Sequence, residues 1–260
     1  MPSIMRDSFK NTFIYCLGVL LVAVIFEIIS LSLNDAVIIP SLGVVIKDFF
    51  ILLGKGETYV FVGYTLLDLV ISLVISIILG LALGALVGIK PVLYKIFKPL
   101  MSLLRILPVI IFIILIMLFN EIRYVPAIVT TIILIPMIYE GAYQGIIKVD
   151  KSLINAYRLD SRFNLRVFNM IYLPLIGSSL KTAIINALGI GIKLVVTTEY
   201  ICGASHTLGK AIINAVANLE FSYIYAYSII LIILILLIEA LPRLIELIAN
   251  LIKNRRSLVK

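Results

Sequence analysis

The chain carries few residues able to do covalent or metal chemistry, and their spacing argues against both. His206 is the only histidine and Cys202 its nearest thiol. A zinc site would need two further ligands, and none is spaced to supply them. Gly203, Gly209 and Lys210 look like a phosphate loop, in which backbone amides cradle the phosphates and a Lys meets the terminal ones. Here five residues separate the glycines and Ala211 stands where Ser or Thr is needed, so no ATP site of this kind is expected. No nucleophile with a histidine, and no acid with a base, pairs inside the apolar stretches. Catalytic and metal roles are therefore not assigned. The ionisable residues left over are Glu27, Asp68, Arg105, Lys181, Lys193 and Glu239, all within apolar runs. Charge there is costly and is kept for function or for pairing. Lys181 and Glu239 lie close enough to run ends to snorkel, and Asp68 lies near the outer end of its run. Lys193, Thr197, Thr198 and Glu199 form a polar group that is a candidate lining for a substrate path, with pairing of Lys193 to an acid such as Glu199 as the favoured alternative.

The elements that hold these residues are set by composition. Hydrophobic residues make up 62% of the chain, charged ones 14%, and mean hydropathy is +1.19. That describes an integral membrane protein, all-α, with most of its surface in lipid. Crossing ~30 Å of hydrocarbon takes about 20 residues. Six runs qualify: Phe13–Leu33, Thr65–Ile89, Pro99–Phe119, Tyr124–Glu140, Leu175–Thr197 and Tyr223–Leu241. The first is longer than a signal-peptide core and has no small-residue cleavage pattern after it, so it is expected to stay as an anchor. Cys16 and Cys202 fall on opposite sides and form no disulfide framework.

Lysine and arginine fix the orientation, because they are retained on the cytoplasmic side of short loops. Arg6, Lys10, Lys90, Lys95, Lys98, Lys148, Lys151, Arg158, Arg162, Arg166 and the basic tail share one face, against Lys47, Lys55, Arg123 and Lys210 on the other. Both termini are then cytoplasmic, with residues 1–12 as the N-terminus, 13–250 as the membrane domain and 251–260 as the tail. The formal charge of +8 reflects this bias and suits anionic lipid; it calls for no nucleic acid. Outside, Asn34–Tyr64 is expected to hold an amphipathic helix opened by Pro40-Ser41 and closed by Gly54-Lys55-Gly56. Thr198–Ser222 reads as the second outer loop.

Ser72, Ser76, Gly80, Gly84 and Gly88 recur every four residues along the second run, a smooth ridge for close helix packing. Ser179, Ala183, Ala187 and Gly191 repeat the device on the fifth. The polar, basic stretch Gly141–Leu173 stands apart from all of this as a long cytoplasmic loop. In it Val149–Tyr157 is one short helical candidate, and Asp160-Ser161 caps a second in which Phe163, Val167, Met170 and Ile171 recur at helical spacing. Such an elbow is either a solvated connector or, favoured by its length and apolar content, a docking element for a soluble subunit.

On these residues the chain resembles the permease subunits of binding-protein-dependent ABC importers, especially the branch that carries sulfonates, nitrate, taurine and thiamine precursors. The family's cytoplasmic signature is Glu-Ala-Ala, three residues, Gly, nine residues, Ile-x-Leu-Pro. The spacing is kept here as Asn155-Ala156-Tyr157, Ser161 and Ile171-Tyr172-Leu173-Pro174, with Gly145 and Val149-Asp150 upstream. Pro40-Ser41, Arg105-Ile106-Leu107-Pro108, and Glu199 followed by Gly203 and Leu208-Gly209 fall in matching order. Asn155 replaces the acid, Tyr157 the second Ala and Ser161 the Gly, which asks for a matching change in the partner. The resemblance implies six transmembrane helices in the type I importer arrangement and a coupling helix that seats on an ATPase subunit. Asp150, Leu153, Asn155, Ala156, Tyr157, Ser161, Ile171, Leu173 and Pro174 would make that contact.

It further implies a bacterial plasma-membrane protein, not itself an enzyme and without a cofactor, since ATP is bound by the partner. The other partners would be a second permease copy or close paralogue and an extracytoplasmic substrate-binding protein. The cargo would be a small polar organic compound or anion, moved inward by alternating access. The competing readings are an ATP-independent transporter or channel, and a non-transporting membrane scaffold.

Overall fold

A computed structural model describes residues 2–33, 38–148 and 173–258, which are helical with no strand among them. The chain divides into two units, one of Met1–Tyr59 with Ile212–Ile232, the other of Val60–Ala211 with Ile233–Lys260.

The first unit is built on α1 (Pro2–Leu33) and α2 (Leu42–Gly54). Ser41 stands at the N-cap position of α2 without a side-chain capping bond and Lys55 follows its last residue, so the Pro-Ser and Gly-Lys-Gly punctuation marks the helix ends. Glu27 on α1, one of the ionisable residues within the apolar runs, accepts the Leu42 N–H at 2.8 Å. A carboxylate there satisfies one of the unpaired amides of the first turn and meets the positive end of the helix dipole. Ser30 Oγ donates to the Ile39 carbonyl at 2.9 Å, closing the same corner. Tyr225 packs edge-on against Phe26, ring centroids 5.3 Å apart, and Lys55 lies over the Tyr223 ring at 5.0 Å.

The second unit holds most of α3 (Gly56–Ile89), then α4 (Pro91–Ile106), α5 (Val109–Phe119), a 3-10 turn at Ile122–Tyr124, α6 (Val125–Ile147) and α7 (Leu173–Cys202). The start of α8 (Leu208–Ala217) and the latter part of α9 (Phe221–Leu258) complete it. α6 is its centre: Val125, Val129, Leu134, Ile138 and Ala142 are fully buried. In lipid, helices gain nothing by hiding apolar side chains from apolar tails, so close backbone approach must hold them together. The stripe of α3 does this against α6. Ser72 and Ser76 donate to the Ala127 and Thr131 carbonyls, each at 3.1 Å. A Cβ placed on Gly80 would sit 2.7 Å from Ile138 Cβ, one on Gly88 2.9 Å from Ile146 Cβ, and one on Gly84 would strike the Tyr139 carbonyl. α7 reaches a neighbouring face of α6 in the same way, with Ala183 seated on Gly141 and Ile176 on Gly145.

Among the described residues, four helices are long and apolar enough to cross a bilayer: Gly56–Ile89, Ile122–Ile147, Ile176–Cys202 and Phe221–Pro242. The third run expected from sequence is not one straight helix. α4 and α5 meet at 96° across Leu107-Pro108, so two helices with a sharp bend stand in place of the single run Pro99–Phe119. Pro108 offers no N–H to continue α4 and holds Leu107 extended at ψ 133°, so an unbroken apolar composition still breaks here. The fourth run extends two turns past Glu140 to Ile147, which takes the first residues of the expected cytoplasmic loop into α6. Likewise α7 runs on to Cys202, so Thr198 and Glu199 are helical and not part of an outer loop.

Candidate functional site

Of the residues predicted to contact an ATPase, Asp150, Leu153, Asn155, Ala156, Tyr157, Ser161 and Ile171 lie outside the described residues. Leu173 and Pro174 form the first turn of α7, where proline's missing N–H is tolerated.

The four polar residues singled out on the fifth run divide between two faces of α7. Lys193 and Thr197 are exposed, whereas Thr198 and Glu199 are fully buried. Lys193 makes no ion pair among the described residues, and Glu199 faces elsewhere, so the expected pairing of the two is not formed. The exposed side continues down the helix through Asn186, Thr182 and Ser178, broken only by Ile190 at 43% exposure. Steps of three and four residues keep this set on one side over five turns. It joins hydroxyls, one amide and one ammonium, a surface that hydrogen-bonds water or a polar solute. Nothing on it is a nucleophile beside a base, so the stripe can solvate cargo but not transform it.

Glu199 belongs to a buried network at the other face. Its Oε2 accepts from Thr65 Oγ1 at 3.0 Å and from the Gly209 N–H at 3.2 Å, while Thr65 Oγ1 accepts the Leu208 N–H at 3.1 Å. One carboxylate thus ties the end of α7 to α3 and to the first turn of α8. Gly209 must lack a side chain, because a Cβ there would strike Glu199. Gly203 at φ 70° and His206 at φ 61° turn the chain between α7 and α8, and Thr207 Oγ1 accepts the Lys210 N–H at 3.3 Å.

Beside this lies Asp68, 2% exposed, whose carboxylate accepts two hydrogen bonds from Arg123 Nη1 at 2.7 and 3.0 Å. Arg123 also lies over the Tyr64 ring at 4.9 Å, and Tyr64 faces His206 at 5.9 Å. Sequence reasoning placed Arg123 among the cations of the outer face and assigned it no partner. Its partner is 55 residues away, and the available signal was a lone acid near the end of an apolar helix. Farther along α6, the Pro136 carbonyl accepts a hydrogen bond from Arg105 of α4 at 2.6 Å, and Glu140 approaches the same guanidinium at 3.6 Å, so this cation has an acid beside it. No group of three or more His, Cys, Asp and Glu is placed to hold a metal among the described residues.

The helices packed around α6 have the permease fold of a type I ABC importer. The arrangement is similar to that of the MetNI methionine ABC transporter in its inward-facing conformations. A native crystal form gives a TM-score of 0.62 at 19% identity, covering 71% of this chain and 92% of that one. A selenomethionine-soaked form gives 0.61, with the same identity and coverage. No curated protein sequence shows a significant match. The family model described as binding-protein-dependent transport system inner membrane component matches residues 76–248, and the chain belongs to that family. It is a permease subunit of an ABC importer, a multi-pass plasma-membrane protein that transports and does not catalyse, and it works with a separate ATPase subunit.

Proposed function

We propose that the exposed polar side of α7 lines the route by which cargo crosses the membrane, in a subunit that moves a small polar organic compound or anion inward by alternating access. The observation that carries this reading is the run Ser178, Thr182, Asn186, Lys193 and Thr197 on one open side of a bilayer-length helix. Polar and charged side chains in a membrane face protein or a wet cavity, because lipid leaves them unsatisfied. The spacing of Asn155-Ala156-Tyr157, Ser161 and Ile171 to Pro174 supports the branch that carries sulfonates, nitrate, taurine and thiamine precursors. In this reading the segment around Ala156 is the coupling helix, ATP stays on the partner, and the chain itself takes no cofactor. A second copy or paralogue faces this one, α1 supplies a sixth crossing, both termini are cytoplasmic, and an extracytoplasmic binding protein delivers the cargo.

The test is cysteine accessibility in membranes, in a background with Cys16→Ser and Cys202→Ala. Asn186→Cys and Thr197→Cys should react with charged, membrane-impermeant thiosulfonates, whereas Leu237→Cys, 59% exposed on apolar α9, should not. Unreactive cysteines at both 186 and 197 would put lipid or protein on this side and remove the reading.

A further inference from the structure

α4 has three sides. Tyr94, Phe97, Met101 and Leu104 turn inward, packing with Val87, Tyr139 and Tyr143. Val92, Ile96, Leu100, Leu103 and Ile106 form an open apolar side, 48% to 74% exposed. Lys95, Lys98 and Ser102 form an exposed third side, and the helix contains no Asp or Glu. Aromatic residues mark the level at which this helix begins. Tyr94 stacks on Tyr143 with centroids 4.5 Å apart and 9° between planes, and Lys98 lies over Tyr94 at 5.3 Å. Stacked tyrosines beside lysines are characteristic of the membrane–water boundary, where a ring is half in hydrocarbon and a long cationic side chain reaches the headgroups.

We propose that the first turns of α4, from Lys90 to Leu100, form a binding surface for anionic phospholipid. Acyl chains lie along Val92, Ile96 and Leu100, and Lys95 and Lys98 engage headgroup phosphate. Charge selects this occupant. Neither Lys90, Lys95 nor Lys98 has a carboxylate partner among the described residues, so a complementary anion must come from outside the helix. A second copy of the chain is a poor source, because each copy carries a formal charge of +8. An anionic leaflet attracts basic segments at its surface and accepts the apolar side at once. The 96° bend at Leu107-Pro108 separates the direction of α4 from that of α5, so α4 is free to lie along the boundary with its lysines out of the hydrocarbon.

The chain has no tryptophan, so a single introduced indole reports without background. The full chain carrying Ile96→Trp is reconstituted in phosphatidylcholine vesicles containing equal fractions of either brominated phosphatidylcholine or brominated phosphatidylglycerol. Phe119→Trp, 84% exposed on α5, is the reference, and Val92→Trp, 71% exposed, repeats the reading one turn away if Ile96→Trp does not reconstitute. At position 96 the brominated phosphatidylglycerol should quench more than the phosphatidylcholine. The enrichment read from that ratio should fall about fivefold for each of Lys95→Gln and Lys98→Gln, and shrink in high salt. The reference should respond equally to both lipids and ignore the lysine changes. Equal quenching by the two lipids at position 96 would overturn the proposal. So would absence of quenching at 96 with a quenched reference, which would place protein on this side.

Discussion

Arg123 and Asp68 show what a buried charge requires in this chain. The Asp68 side chain is 3% exposed and that of Arg123 28%, so the acid is the more committed partner. Removing one member of such a pair leaves the other charge without compensation, at a cost of about 3 kcal/mol. Arg123→Ala should therefore lower the thermal midpoint of the purified subunit clearly, and Asp68→Ala should do the same. The double variant should lose much less than the two losses added, because neither charge is then left alone. Additive losses would show that the two side chains act independently. The sequence named Asp68 but not its partner, since nothing local in Ile122-Arg123-Tyr124 points across 55 residues. Thr65 with Glu199 was hidden for the same reason at a separation of 134.

Elements were more legible than contacts wherever local punctuation decides them. The ends of α2 follow from Pro40-Ser41 and Gly54-Lys55-Gly56, because a cap or a helix break is written within a few residues. The break after α4 was missed because hydropathy is continuous across it, and only the backbone restriction at Leu107-Pro108 carries the information. The small-residue stripe of α3 was readable as a stripe, although its partner was not. It allows a contrast within one helix. Gly84→Ala drives a methyl into the Tyr139 carbonyl of α6, whereas Gly63→Ala meets nothing within 4 Å. The first should destabilise the subunit by about 1–3 kcal/mol, as overpacking does. The second should leave it unchanged or raise stability by up to about 1 kcal/mol through helix propensity. Thermal unfolding in detergent compares them, and equal effects would mean that the α3–α6 approach is loose.

At the scale of the whole molecule, the proposed mechanism requires a push from a cytoplasmic ATPase to be passed into the membrane. Ala156→Asp puts an unpaired charge at the proposed ATPase contact. In the purified assembly it should abolish association or cut stimulated ATP hydrolysis at least tenfold, a loss of about 1.4 kcal/mol or more. Unchanged hydrolysis with an intact complex would assign the segment around Ala156 a connecting role only. How such a push travels is constrained by the glycine contacts. Gly80, Gly84 and Gly88 hold α3 on α6, and Gly141 and Gly145 hold α7 on α6, each without space for a methyl group, while Gly191 brings α7 against Leu69 of α3 as well. Helices interlocked at every turn cannot creep past one another by small steps, since each step would ride one side chain over the next. With α7 also tied to α3 through Thr65 and Glu199, the three work mechanically as one wedged block, stiff against shear, so a displacement applied at one end arrives at the other as a tilt of the whole.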